Sequence, residues 1–126
     1  MPKLCYAFQQ IACVGLCVMS TVLAAADAPT APVTDPVAKG RELVMDRAKG
    51  NCLACHMIND PEAKSPGNIG PPLIAIKQRF ADKALLRAQI WDPTVNNPET
   101  VMPPFGRYQI LSPSEIDQVV EYIYTL

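Results

Sequence analysis

The feature that most constrains this chain is the run Cys52-Leu53-Ala54-Cys55-His56, in which a histidine directly follows the second of two cysteines. The cysteines lie three positions apart, so one helical turn presents both thiols on the same side. His56 is the only histidine in the 126 residues. A fold that uses this run must therefore bring two sulfur atoms and a single imidazole to one place.

Several kinds of site could use such a run. A structural zinc site takes four ligands, and no cysteine or histidine follows His56 to complete them. A thioredoxin-like dithiol normally sits on a βαβ frame, which this sequence does not predict, and a plain disulfide remains the simplest alternative. We favour covalent attachment of one haem c, in which Cys52 and Cys55 each bond a vinyl group and His56 binds the iron.

The sixth ligand of such a haem has few candidates, because a second imidazole could come only from a partner protein. Met57 directly follows His56 and cannot reach the opposite face of the porphyrin, and Met45 belongs to the first predicted helix. Met102 lies in a loop before Pro103-Pro104, which stiffens the backbone. Methionine is also a common core residue. Given a haem, we nevertheless predict Met102 as the second metal ligand, because a histidine–methionine pair is a usual way to hold such a haem; this pair also raises the reduction potential.

Pro71 is a weaker candidate for the same site. Its carbonyl could accept the free ring N–H of His56 and so fix the tautomer of the imidazole. Pro71 could equally do no more than begin a helix, because proline suits the first helical turn. The sequence leaves both interpretations open.

The first 36 residues are predicted to lie outside the folded domain. Residues 1–26 have a basic start, an apolar stretch and Ala24-Ala25-Ala26, which is typical of a secretory signal peptide. The apolar stretch is shorter than a membrane span needs, so we expect export to the periplasm and no stable membrane anchor. Residues 27–36 form a proline-rich flexible arm. Loss of Lys3 leaves a formal net charge of −2, with no basic excess for nucleic acid.

Residues 37–126 are predicted to form one all-α domain. The last helix is the clearest, because Ser112-Pro113-Ser114-Glu115 is a capping box with proline at the first helical position. Four apolar residues of this helix should face inward, and Gly40 could let it approach the first helix closely. The other predicted helices cover Val37 to Arg47, Pro71 to Phe80 and Lys83 to Trp91; the inward residues are Ile116, Val119, Val120 and Ile123.

These residues resemble the class I cytochromes c, and more narrowly the SoxX family, the monohaem subunit of the thiosulfate-oxidising SoxAX complex. The resemblance covers roughly residues 40 to 126. Its first block, at 50 to 56, is shared by all c-type cytochromes, so the narrower resemblance depends on later blocks. These are Gly-Asn-Ile-Gly-Pro-Pro-Leu at 67 to 73, Ala-Gln-Ile-Trp-Asp-Pro-Thr at 88 to 94, Val-Met-Pro-Pro-Phe-Gly at 101 to 106, and the segment 111 to 117.

The resemblance implies a class I cytochrome c fold around one haem held by Cys52, Cys55, His56 and Met102. It also implies a periplasmic heterodimer with SoxA that oxidatively joins thiosulfate to a cysteine of the carrier SoxYZ, and a small cytochrome c as electron acceptor. Both cysteines after the signal peptide are used by the haem, so the catalytic cysteine of this thiosulfotransferase is expected on the partner. A freely diffusing electron carrier and a haem-based ligand sensor are the alternatives.

Overall fold

A computed structural model describes residues 35–126. The predicted signal peptide and most of the predicted arm lie outside the described residues. Within them the fold is all-α, as expected, with no strand and a single parallel bridge between Ile58 and Leu73. No helix of the described part is both long and apolar enough to cross a membrane. The helices are α1 (Pro36–Met45), α2 (Ile76–Arg79), α3 (Lys83–Trp91) and α4 (Pro113–Ile123), with 3₁₀ turns at Cys52–Ala54 and Pro93–Val95.

Helix α4 begins with the capping box that the sequence predicts. The Ser112 hydroxyl accepts the Glu115 N–H at 3.3 Å, and the Glu115 carboxylate accepts the Ser112 N–H at 2.9 Å. Two amides that a helix start leaves open are thereby satisfied. The inward face is also as predicted, and the buried residues of α4 are Ile116, Val119, Val120, Tyr122 and Ile123.

Helices α1 and α4 pack against each other through Gly40. A β-carbon at this position would lie 1.9 Å from the main-chain oxygen of Gln118 and 3.0 Å from Cβ of Tyr122. Any larger residue would therefore force the two helices apart. The close approach expected at Gly40 is confirmed, and Val44 of α1 is completely buried as a result.

The bounds of α1 differ slightly from those expected. The Asp35 carboxylate accepts the Val37 N–H at 3.0 Å, so the helix begins at Pro36, one residue before the predicted domain boundary. It ends at Met45 because Asp46 adopts an extended backbone.

The prediction of a helix from Pro71 to Phe80 is wrong in its first half. The Leu73 N–H donates to the Met57 carbonyl at 2.8 Å, which keeps this stretch extended and forms the bridge to Ile58. The helix starts only at Ile76, after Ala75 takes a left-handed conformation with φ of 49°. A proline pair permits a helix start, but tertiary hydrogen bonds decide where the helix begins. The segment after α3 also contains a 3₁₀ turn, at Pro93–Val95, which the sequence did not predict.

The Asp60 carboxylate joins both long helices, α1 and α4, to the loop that follows His56. Arg41 of α1 donates to the Asp60 carboxylate at 2.7 and 2.5 Å, and the Tyr122 hydroxyl of α4 donates to the same carboxylate at 2.7 Å. These hydrogen bonds, from Arg41 above all, hold the pKa of Asp60 well below its usual range. Burial, followed by the hydrogen bond to Asp60, raises the pKa of Tyr122. The Asp60 side chain is only 8% exposed, so its loss cannot be compensated by water.

We expect Asp60→Asn to lower the free energy of unfolding at pH 7 by about 2 kcal/mol, because charge-assisted hydrogen bonds are lost. Since the folded pKa of Asp60 lies below the unfolded value of about 4, the stabilisation is complete above that pH and declines as the pH falls further. Urea unfolding of both proteins from pH 7 down to pH 3 measures this difference.

The matched control is Glu62→Gln. Glu62 receives a hydrogen bond from the same Arg41 guanidinium at 3.0 Å, but its side chain is 72% exposed. We expect it to change stability by less than about 0.5 kcal/mol. Equal effects of the two substitutions, or a difference between wild type and Asp60→Asn that does not shrink in acid, would contradict the assignment.

Candidate functional site

The two cysteines of the site lie on the short 3₁₀ turn that follows α1. The carbonyl of Cys52 accepts the N–H groups of Cys55 and His56 at 3.2 and 2.9 Å, which places these three residues on one turn. Asn51 enters the turn in the left-handed region with φ of 46°. Both thiols are free. Burial raises the pKa of the Cys52 thiol to about 12, so until a thioether forms this sulfur is a protonated thiol near neutral pH.

His56 is oriented by Pro71, fifteen residues further along the chain. Its Nδ1 lies 2.7 Å from the Pro71 carbonyl oxygen. A carbonyl can only accept, so Nδ1 carries the proton and, in the neutral ring, Nε2 holds the lone pair that can bind iron. The Pro71 carbonyl thus lies at the His56 ring, and the nearest helix begins only at Ile76.

The backbone of Gly70 packs closely against the imidazole of His56, a contact that the sequence did not predict. A β-carbon here would lie 2.5 Å from Cε1 of His56 and 2.7 Å from Nδ1. The Gly70 N–H donates to the Cys55 carbonyl at 2.8 Å, so the backbone around the ring is fixed from both sides. The available signal was the glycine itself, because glycine permits the backbone to approach another group closely.

Met102 lies in the long connection between α3 and α4. Its side chain is half-buried and packs against the hydrophobic core. The Met102 N–H donates to the Thr100 hydroxyl at 3.2 Å. Beyond Pro103 and Pro104 the chain returns to the core, where Phe105 is buried. The loop is thus bound to the core after the methionine, while before it the Met102 N–H is held by a hydroxyl of the loop itself.

A haem fits the chemistry of these segments. The turn offers two free thiols and an imidazole nitrogen with an open lone pair. Two apolar side chains of these segments are available for contact with a porphyrin: Val101, the chain neighbour of Met102, is 78% exposed, and Ile69, the chain neighbour of Gly70, is 72% exposed. Within residues 35–126, no three His, Cys, Asp or Glu side chains are grouped to hold a metal ion.

A sequence model of the cytochrome c family matches residues 37–126, which include this entire arrangement. The chain belongs to the cytochrome c family. Its haem c is therefore bound covalently, and the run from Cys52 to His56 is the motif for that attachment. When bound, the haem supplies a one-electron couple at its iron.

The cytochrome is also similar to two individual proteins. A chain in the crystal structure of SoxXA from P. pantotrophus is similar with a TM-score of 0.63 and 28% sequence identity, over 70% of this cytochrome and 79% of that chain. An uncharacterized lipoprotein of Aquifex aeolicus (strain VF5) is 37% identical over 76 residues, which is 60% of this cytochrome and 36% of the lipoprotein. The cytochrome thus spans about a third of the length of that relative.

Replacing both Cys52 and Cys55 with alanine should abolish covalent haem, because no other thiol lies within residues 35–126. The test is intact mass spectrometry of protein made in a host that matures c-type cytochromes, together with haem staining on a denaturing gel. Wild type should exceed the mass of its polypeptide by one haem. A Leu53→Ala variant, changed between the two cysteines, should keep the haem. Wild type without added mass would contradict the assignment.

Proposed function

We propose that this cytochrome is the SoxX-type subunit of a periplasmic SoxAX complex and accepts the electrons released when thiosulfate is joined to a cysteine of the SoxYZ carrier. The observation that carries the proposal is the similarity to a chain of SoxXA, at 28% identity over most of both chains. The sequence blocks around Trp91-Asp92-Pro93 and Met102 to Gly106 point the same way.

The division of labour follows from the cysteines. Forming a sulfur–sulfur bond oxidatively needs a reactive thiolate or persulfide. Cys52 and Cys55 are both committed to thioethers, so the catalytic cysteine belongs to the SoxA partner. This subunit takes up electrons and performs no sulfur chemistry itself. Because one iron accepts one electron and the new bond releases two, the subunit passes each electron on to a small cytochrome c or shares them with a further haem.

His56 and Met102 are the proposed axial ligands. His56 offers Nε2, with its proton held on Nδ1 by the Pro71 carbonyl at 2.7 Å. Met102 offers a thioether from a half-buried loop that is bound to the core. A thioether stabilises ferrous iron relative to ferric iron, so this ligand pair raises the reduction potential. A high potential suits an electron acceptor.

Location outside the cytoplasm agrees with the cytochrome c family and with the lipoprotein relative. Residues 1–26 supply a signal peptide in this proposal, and cleavage after them releases the domain into the periplasm.

A freely diffusing electron carrier is the second candidate. Carriers commonly present a charged patch that steers encounters with several partners. Here the charged side chains of α3 and α4 are largely neutralised by one another: Lys83 pairs with Glu121 at 2.6 Å and Arg87 with Asp117 at 2.5 Å. A surface of paired charges favours a stable partner over a steered encounter.

Expressed with the neighbouring genes, the tagged cytochrome should copurify with one further cytochrome at physiological salt. The measurement is size-exclusion chromatography with haem absorbance, followed by mass identification of the partner. A partner that carries a cysteine beyond its own haem motifs supports the proposal. Elution of this cytochrome alone, with full haem content, would favour the carrier.

The ferric wild type should show the weak red absorption band that arises from charge transfer between a methionine sulfur and ferric iron, and Met102→Ala should abolish it. Met57→Ala is the matched control, because Met57 adjoins His56 but its side chain is half exposed. The control should keep the band. Wild type without the band, or Met102→Ala with it, would show that another group occupies the sixth position.

A further inference from the structure

The loop that carries Met102 is anchored unequally on its two sides. Downstream, the Trp91 carbonyl accepts the N–H groups of Gly106 and Arg107 at 3.1 and 3.2 Å, and the Phe105 carbonyl accepts those of Ile110 and Leu111 at 2.9 and 3.2 Å. Phe105 is itself buried in the core. The chain after Met102 is thus held by several main-chain bonds.

Before Met102, the loop is held by fewer hydrogen bonds. The Thr100 N–H donates to the Asn97 carbonyl at 3.1 Å and closes a turn, which fixes the position of Thr100. The Thr100 hydroxyl then accepts the Met102 N–H at 3.2 Å. Val101, between them, is 78% exposed and does not pack against the protein core.

The prolines after Met102 make this bond more important. Pro103 and Pro104 have no N–H to donate, so the Met102 amide is the last main-chain donor before Phe105. Pro103 also restricts Met102 to an extended conformation. The backbone of Met102 is therefore restricted on its carboxyl side by the Pro103 ring and on its amide side by the Thr100 hydroxyl. Among the described residues, Thr100 is the side chain that binds this amide.

We propose that Thr100 is a positioning residue for Met102: its hydroxyl fixes the backbone from which the sulfur reaches the haem iron. The inference rests on the proposed ligation by Met102. Removing the hydroxyl leaves the Met102 side chain unchanged but removes a restraint on its backbone. An added ligand should then displace the Met102 sulfur from the iron more easily.

The test is a spectrophotometric titration of the ferric holoprotein with imidazole, which competes with Met102 for the iron. Thr100→Val keeps the shape of the side chain and removes the acceptor, and it should lower the half-saturation concentration of imidazole about two- to tenfold, as expected for one neutral hydrogen bond. Thr100→Ser keeps the hydroxyl and should behave as wild type. Hydrogen exchange of the Met102 amide should accelerate in Thr100→Val and not in Thr100→Ser.

Thr125→Val is the control for loss of a threonine hydroxyl elsewhere. The Thr125 hydroxyl donates to the Tyr122 carbonyl at 2.7 Å at the end of α4, and its removal should not change the titration. If wild type shows the methionine charge-transfer band and Thr100→Val titrates like wild type, or if Thr100→Ser titrates like Thr100→Val, the positioning role is wrong. If wild type lacks the band, the ligation by Met102 is what fails.

Discussion

The hydrogen bond from His56 to the Pro71 carbonyl is the interaction on which the site depends. It fixes the tautomer of the imidazole, and it draws the segment before α2 against the loop that follows the cysteines. The bridge between Ile58 and Leu73 and the contact of Gly70 with the ring follow from the same approach of two chain segments. A long irregular stretch thus acquires a defined shape without helix or strand, because its ends are joined by the contact between His56 and Pro71.

The helices supply the rigidity that this stretch lacks. Helix α1 precedes the turn of Cys52 by six residues, and its packing on α4 is set by Gly40. The Asp60 carboxylate then joins Arg41 and Tyr122 to the loop only a few residues after His56. The cysteine turn and the loop after His56 are therefore both held against the same pair of helices, α1 and α4.

The sequence predicts the local parts of this structure well. The capping box of α4, the bounds of α3 and the all-α class depend on neighbouring residues, whose periodicity and caps are visible in one dimension. The haem motif is equally local. The error at Pro71 shows the limit, because the bonds that hold that segment extended come from Met57 and His56, which propensity does not include. Asp60 and Gly70 were missed for the same reason. Asp60 binds Arg41 and Tyr122, which are far from it in the sequence, and Gly70 is recognised only by its contact with the His56 ring.

If Met102 is the sixth ligand, as we propose, the two sides of the haem are held in different ways. His56 is held by a hydrogen bond on its ring and by a glycine pressed against it, within a loop tied to two helices. Met102 is held through its backbone, firmly after the methionine and by a single hydroxyl before it. Exchange of a ligand should therefore occur on the methionine side, where fewer bonds must break. Electron transfer is favoured when the surroundings of the redox centre change little between oxidation states, and in the proposed ligation the proline pair after Met102 would contribute to that rigidity.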